Sequence, residues 1–143
     1  MATINVYLNF PGNTEEAFKF YRTVFGGEFL RLQRFKDTSE KDRVAAAEQE
    51  KIMHIQLQVA KNLVLHATDA LESMGQKLKV GNNFSLLLET ETKEESDQFF
   101  KSLSAGGKVD MPMQNTFWGA YYGMLTDKFG IQWMVNFELN PSK

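Results

Sequence analysis

Thr14–Gly27 reads TEEAFKFYRTVFGG, and Lys93–Gly107 reads KEESDQFFKSLSAGG. A shift of 79 positions lays Glu94-Glu95 on Glu15-Glu16, Phe99-Phe100 on Phe20-Tyr21 and Leu103 on Val24. The pairs Gly26-Gly27 and Gly106-Gly107 match one position later. In the first stretch Ala17, Phe20, Tyr21, Val24 and Phe25 recur at helical spacing. Thr14 stands where an N-cap belongs, and the acids fall in the first turn, where the helix dipole favours them. Both stretches therefore predict short amphipathic helices that stop at a glycine pair.

Strands flank each helix. Thr3–Phe10 alternates, with Ile4, Val6, Leu8 and Phe10 on one face and Asn5, Tyr7 and Asn9 on the other. Pro11-Gly12-Asn13 ends that strand. Glu28–Phe35 is a second strand, Lys36–Arg43 a solvated loop, and Ala45–Gln49 a helical turn or more loop. Ile52–Val59 and Asn62–Thr68 read as a hairpin. A polar connector over Asp69–Asn82 has room for a helical turn near Leu71–Met74. The order then restarts: strand Phe84–Glu89, helix Lys93–Leu103, short strand Lys108–Met111, loop Gln114–Trp118, strands Ala120–Leu125 and Ile131–Glu138. Each half orders as strand, helix and three strands, with modules at about 1–70 and 83–140 of one domain, 1–143. A single half would leave a sheet face bare; two can bury those faces on each other or enclose a pocket.

Composition narrows the function classes. The 143 residues are 43% hydrophobic and 24% charged, ordinary for a globular chain. Cysteine is absent, which excludes disulfides, thiolate metal sites and cysteine nucleophiles. A formal charge of −2 argues against a general nucleic-acid binder. No apolar run reaches the ~20 residues of a membrane span, and MATINVYLNF has no basic start before an apolar stretch. A cytoplasmic protein with no nucleic-acid or membrane partner is the expectation.

The order of elements, Tyr7–Asn13 (YLNFPGN), Thr116–Gly119 (TFWG) and above all Thr126–Asn136 (TDKFGIQWMVN) resemble the vicinal oxygen chelate superfamily of glyoxalase, bleomycin-resistance and extradiol dioxygenase proteins. The resemblance is closest to its PhnB-like branch, with Ile52-Met53-His54 and Asp69-Ala70 adding to it, and it runs over nearly the whole chain. It implies an α+β fold: two βαβββ modules forming a half-open, cup-shaped mixed β-sheet barrel, helices outside. It also implies a concave pocket and a homodimer.

Metal-dependent members hold a divalent ion with imidazole and carboxylate donors and leave positions open for substrate oxygens. By resemblance the ligand positions fall at Asn5, at or next to His66, at Asn83 or Ser85, and at Met134. Only His66 is a good donor, so no cofactor is predicted, a displaced divalent metal site being the exception held open. The histidines are His54 and His66. With a turn at Lys61-Asn62, His54 faces Asp69, Leu57 faces His66, and the two rings stand on opposite sheet faces; a one-residue slip reverses this. His54 and His66 are the candidate catalytic residues. Asn5, Tyr7, Asp69, Phe117, Trp118 and Tyr121 are the candidate ligand-binding residues. Phe117-Trp118 fits a pocket lid, a dimer seam or packing over the barrel mouth.

Some proteins of this kind carry a demethylubiquinone methyltransferase label. This sequence has no glycine-rich strand-to-helix turn for a nucleotide or S-adenosylmethionine, and no GxxxxGK[ST], HExxH or GxSxG motif. Two function classes result, beside a purely structural or partner-binding module. One is a binding protein that takes a small molecule without a standard metal site. The other is a divergent lyase- or dioxygenase-like enzyme using a histidine or a displaced metal.

Overall fold

The structure, a computed structural model, describes residues 2–39 and 41–139. The chain divides into two compact units, Met1–Lys79 and Val80–Lys143. The first contains β1 (Val6–Phe10), α1 (Thr14–Phe25), β2 (Glu28–Arg34), β3 (Ile52–Ala60) and β4 (Leu63–Asp69). The second contains β5 (Leu86–Glu89), α2 (Lys93–Ser104), β6 (Lys108–Asn115), β7 (Ala120–Thr126) and β8 (Gln132–Glu138). Each unit is a βαβββ module with one open four-stranded mixed sheet, in the order β1-β4-β3-β2 and β5-β8-β7-β6. The β1–β4 and β5–β8 pairs are parallel and the others antiparallel.

In the first unit α1 covers one sheet face. Ala17, Phe18 and Tyr21 are buried there with Leu8, Phe10, Ile55, Leu57, Leu65 and Ala67. Each large side chain buried this way contributes roughly 1.5–3 kcal/mol. In the second unit Phe100 and Leu103 of α2 are buried, as are Leu125, Trp133 and Val135.

The repeated glycine pairs have a physical cause. Gly26 and Gly106 both take positive φ, 74° and 76°, a conformation side chains resist. Their partners lie against strand backbone: a Cβ on Gly27 would stand 1.9 Å from the Gln58 carbonyl oxygen, and one on Gly107 2.3 Å from that of Thr126. The first glycine turns the chain and the second lets it cross the sheet edge.

Helix α1 departs from expectation at its start. Asn13 is the N-cap, without a side-chain cap bond, and Thr14 is already helical. The Thr14 amide instead donates to Asp69 Oδ1 from 55 residues away, at 3.0 Å. Helix α2 is capped locally, its Glu95 amide donating to Thr92 Oγ1 at 3.0 Å. Glu15 does more than complement the dipole. Its two oxygens accept from Arg34 Nη1 and Nη2 at 2.9 and 2.8 Å, which holds its carboxyl below the usual range.

Boundaries also moved. Strand β1 begins at Val6, leaving Ile4 and Asn5 exposed ahead of it, and β6 runs on to Asn115. The charged loop after β2 holds short 3-10 turns at Phe35–Asp37 and Lys41–Arg43. Phe35 and Val44 there bury against Leu71 in a small satellite core.

Candidate functional site

The site is set by a bulge. Near the hairpin turn Ala60 pairs with Leu63, but the next pair is Gln58 with Val64, so Val59 is an extra residue. Beyond it Gln56, not Leu57, lies opposite His66. One inserted residue flips the side chains that follow. The expected His54–Asp69 pairing is therefore wrong, and so is the placement of the two histidines on opposite faces. His54 Nε2 lies 3.2 Å from His66 Nδ1, and the rings stack with centroids 5.4 Å apart.

The two rings stand on the face that turns away from Ile55, Leu57, Leu65 and Ala67. One row crosses all four strands there: Tyr7 on β1, His66 on β4, Gln56 on β3 and Arg31 on β2. Tyr7 is half-exposed and stacks on both imidazoles, with centroids 5.7 Å from His54 and 5.9 Å from His66. Arg31 Nη1 lies 3.3 Å from His54 Nδ1.

That contact orders the protons. A guanidinium only donates, so Nδ1 of His54 accepts. The neutral ring then carries its proton on Nε2 and donates it to Nδ1 of His66, whose own proton sits on Nε2. Burial, with the charges of His66 and Arg31, pushes the His54 pKa down, which favours this neutral ring. Burial also raises the Tyr7 phenol, partly offset by a hydrogen bond with the Thr68 side chain.

The other candidate residues lie elsewhere. Asp69 is 1% exposed; Oδ1 accepts from the Thr14 amide at 3.0 Å and Oδ2 from the Ile52 amide at 2.8 Å. Its carboxylate ties β4 to the starts of α1 and β3. Tyr121 donates to Asp97 Oδ1 of α2 at 2.6 Å and lies under Lys93, so it is engaged with the helix. The Asp97 carboxylate pushes its phenol up to about 12. Asn5 is exposed, just ahead of β1. Phe117 and Trp118 project from the β6–β7 turn, 98% and 57% exposed. Trp118 stacks edgewise on Phe117 and Tyr122. Thr116 closes their turn: its amide donates to the Ala120 carbonyl at 2.8 Å, and its Oγ1 accepts from the Ala120 amide at 3.1 Å.

Sequence reasoning missed Arg31 and Gln56. The signal was the period-two alternation of both strands, which needed the bulge to align them. The TDKFGIQW stretch, the most specific in the sequence, is structural. Asp127 accepts from the amides of Phe129 and Ile131 at 2.8 and 3.1 Å and from Trp133 Nε1 at 2.9 Å.

The superfamily's metal does not fit the donors at its expected positions. Asn5 and Asn83 offer a neutral amide, Ser85 a hydroxyl and Met134 a thioether, and none supplies the charge a divalent ion needs. Among the described residues no group of three or more His, Asp or Glu is placed to hold a metal.

The family model described as 3-demethylubiquinone-9 3-methyltransferase matches residues 2–136. The chain belongs to that family. YjdN of Escherichia coli K12 is 31% identical over 141 residues, covering 93% of each chain. The crystal structure of PA1353 from Pseudomonas aeruginosa is 36% identical with a TM-score of 0.84, over 96% of this chain and 98% of that one. The PhnB protein of Bacillus cereus shares the fold at 24% identity and TM-score 0.77, over 95% and 99% of the two chains. A glyoxalase/bleomycin resistance/dioxygenase family enzyme from Burkholderia phytofirmans shares it at 21% and 0.64, over 93% and 97%. The expected fold is thus the one that the PhnB protein and the glyoxalase/bleomycin resistance/dioxygenase family enzyme share with this chain. The family's name describes methyl transfer; the repeated glycine pairs follow helix ends, at Gly26 and Gly106, and Gly12 is the positive-φ glycine of the β1–α1 turn.

Proposed function

We propose that the protein binds a small molecule on the helix-free face of its first sheet, without a standard metal site. One observation carries this reading. Tyr7, His54, His66 and Arg31 form a continuous stacked and hydrogen-bonded group on a face their own helix leaves uncovered. Polar groups oriented by one another beside an aromatic ring are what a binding site needs to fix a ligand's orientation. The likeness to a bleomycin-resistance family fold supports the same reading, since sequestration needs a pocket and no turnover. The protein is expected to act in the cytoplasm; among its described residues no helix is long and apolar enough to cross a membrane. The exposed Phe117-Trp118 turn is the surface on which a homodimer would form.

A thermal-shift screen of a neutral, anionic and cationic compound library tests the binding reading. A ligand at 100 times its Kd adds about 2.7 kcal/mol to the folded state. Hits whose shift is lost in His66→Gln support the reading; hits indifferent to Tyr7, His54, His66 and Arg31 substitutions overturn it. The second reading is a divergent enzyme. The imidazole pair favours it, because His54 fixes the His66 tautomer with Nε2–H facing outward, as a general acid is oriented in acid–base catalysis. Turnover of a bound hit, abolished in His66→Gln while the fold is kept, would select the enzyme.

A further inference from the structure

We infer that this face takes an oxyanion, a carboxylate or phosphoryl group carried on a ring, with the anion against Arg31 and His66 Nε2 and the ring on Tyr7. The inference rests on the binding reading above and names its ligand class. Three observations carry it.

First, the hydrogen-bond chain has a direction. Arg31 donates to His54 and His54 donates to His66, so the chain ends in a donor, His66 Nε2–H. Arg31 spends one of its five N–H groups on His54 and keeps the others. The fixed groups thus converge on a partner that accepts.

Second, the charge is uncompensated. Among the described residues no carboxylate forms an ion pair with Arg31, whereas Arg34 on the same strand has Glu15 and Glu50. The acid of this strand, Glu28, stands level with Gln58, in the next row. The remaining members of the central row, Tyr7, His66 and Gln56, carry no negative charge near neutral pH. A guanidinium in that setting matches a carboxylate or phosphoryl fork, which accepts two parallel N–H bonds.

Third, the aromatic surface is contiguous with the donors. The exposed Tyr7 ring lies within 6 Å of both imidazoles, centroid to centroid. A flat apolar body attached to the anion covers that surface; inorganic phosphate alone leaves it wet.

The test uses the full chain and three probes of similar shape: phenylphosphonate, benzoate and benzamide, with inorganic phosphate as a fourth. Binding is followed by the ring-proton NMR signals of His54 and His66, assigned through His54→Gln and His66→Gln. The expected result is saturable shifts with phenylphosphonate or benzoate, binding at least tenfold weaker for benzamide and for phosphate, and a tenfold loss in Arg31→Gln. Arg31 is exposed on an edge strand, so that variant is expected to fold; Arg31→Lys keeps the charge, loses the fork, and is expected to recover part of the affinity. Equal affinity for benzamide, or an unchanged affinity in Arg31→Gln, overturns the anion assignment and leaves the binding reading intact. Absence of saturable shifts with both ring-bearing anions also overturns it. The binding reading then stands or falls on the library screen, which contains neutral and cationic compounds.

Discussion

Replacing Asp69 with Ala is expected to damage the fold and not a ligand site. The carboxylate is 1% exposed and accepts from two backbone amides, Thr14 at 3.0 Å and Ile52 at 2.8 Å. Alanine leaves both donors buried without a partner, and each such group costs about 1–3 kcal/mol. The sum is about 4 kcal/mol, a large share of the roughly 5–15 kcal/mol that holds a domain together. At roughly 3 °C per kcal/mol for a chain of this size, Asp69→Ala should melt about 12 °C below wild type. Asp69→Asn keeps one acceptor oxygen but turns an NH2 toward the second amide, so about half that loss is expected. Differential scanning calorimetry measures both, and hydrogen exchange should show the Thr14 and Ile52 amides losing protection first. The reasoning is refuted if Asp69→Ala melts within about 2 °C of wild type. If it also lost ligand affinity, Asp69 would return to the binding site where its sequence position first suggested it.

Three further outcomes are expected. Gly27→Ala and Gly107→Ala should each be more destabilising than Gly26→Ala, by well over the ~1 kcal/mol of a positive-φ penalty, because their new Cβ atoms meet strand carbonyls at 1.9 and 2.3 Å; urea midpoints compare the variants. His54 has a folded-state pKa below its unfolded value, so its contribution to stability is present above about pH 6.5 and is lost as pH falls through the folded value; wild type should lose more stability between pH 7 and 5 than His54→Gln, and a parallel pair of curves would exclude the effect. Spectrophotometric titration should find one tyrosine ionising near pH 12, absent in Tyr121→Phe and lowered in Asp97→Asn; an unchanged titration in Tyr121→Phe would contradict the assignment.

The fold was legible because its signals are local or repeated. Period-two strands, two amphipathic helices and the matched glycine pairs each follow from neighbours in sequence. The element order that they spell occurs twice. The site was less legible because its geometry depends on pairing. Whether His54 meets Asp69 or His66 is decided by Val59, a residue of ordinary strand type whose bulge leaves no mark in composition. The long-range cap of α1 by Asp69 is hidden for the same reason: a buried carboxylate serving two amides reads in sequence as a ligand-site acid. Arg31 was hidden by the β2 irregularity between Phe29 and Arg31, which breaks the alternation that would have placed it.

The internal repeat also shows where the two sheets differ in chemistry. The row Tyr7, His66, Gln56, Arg31 crosses the first sheet in the strand order β1-β4-β3-β2. The corresponding row of the second sheet, in the order β5-β8-β7-β6, is Leu87, Met134, Met124, Met111. Both rows occupy the face opposite the buried helix-side residues, so the backbone requirement is the same and the chemistry is not. An aliphatic and three thioethers offer shape and polarizable surface with no strong donor. The first row offers a cation, an amide, a directed imidazole and a phenol ring. Had packing of the sheet set these residue types, both rows would be free to take the cheaper apolar solution. The first retains a guanidinium and an imidazole, and His54, level with Gln33 in the next row, stacks on that imidazole at a desolvation cost that lowers its pKa. Side chains held against that cost, in one module and not its repeat, are what the proposed ligand site on the first sheet requires.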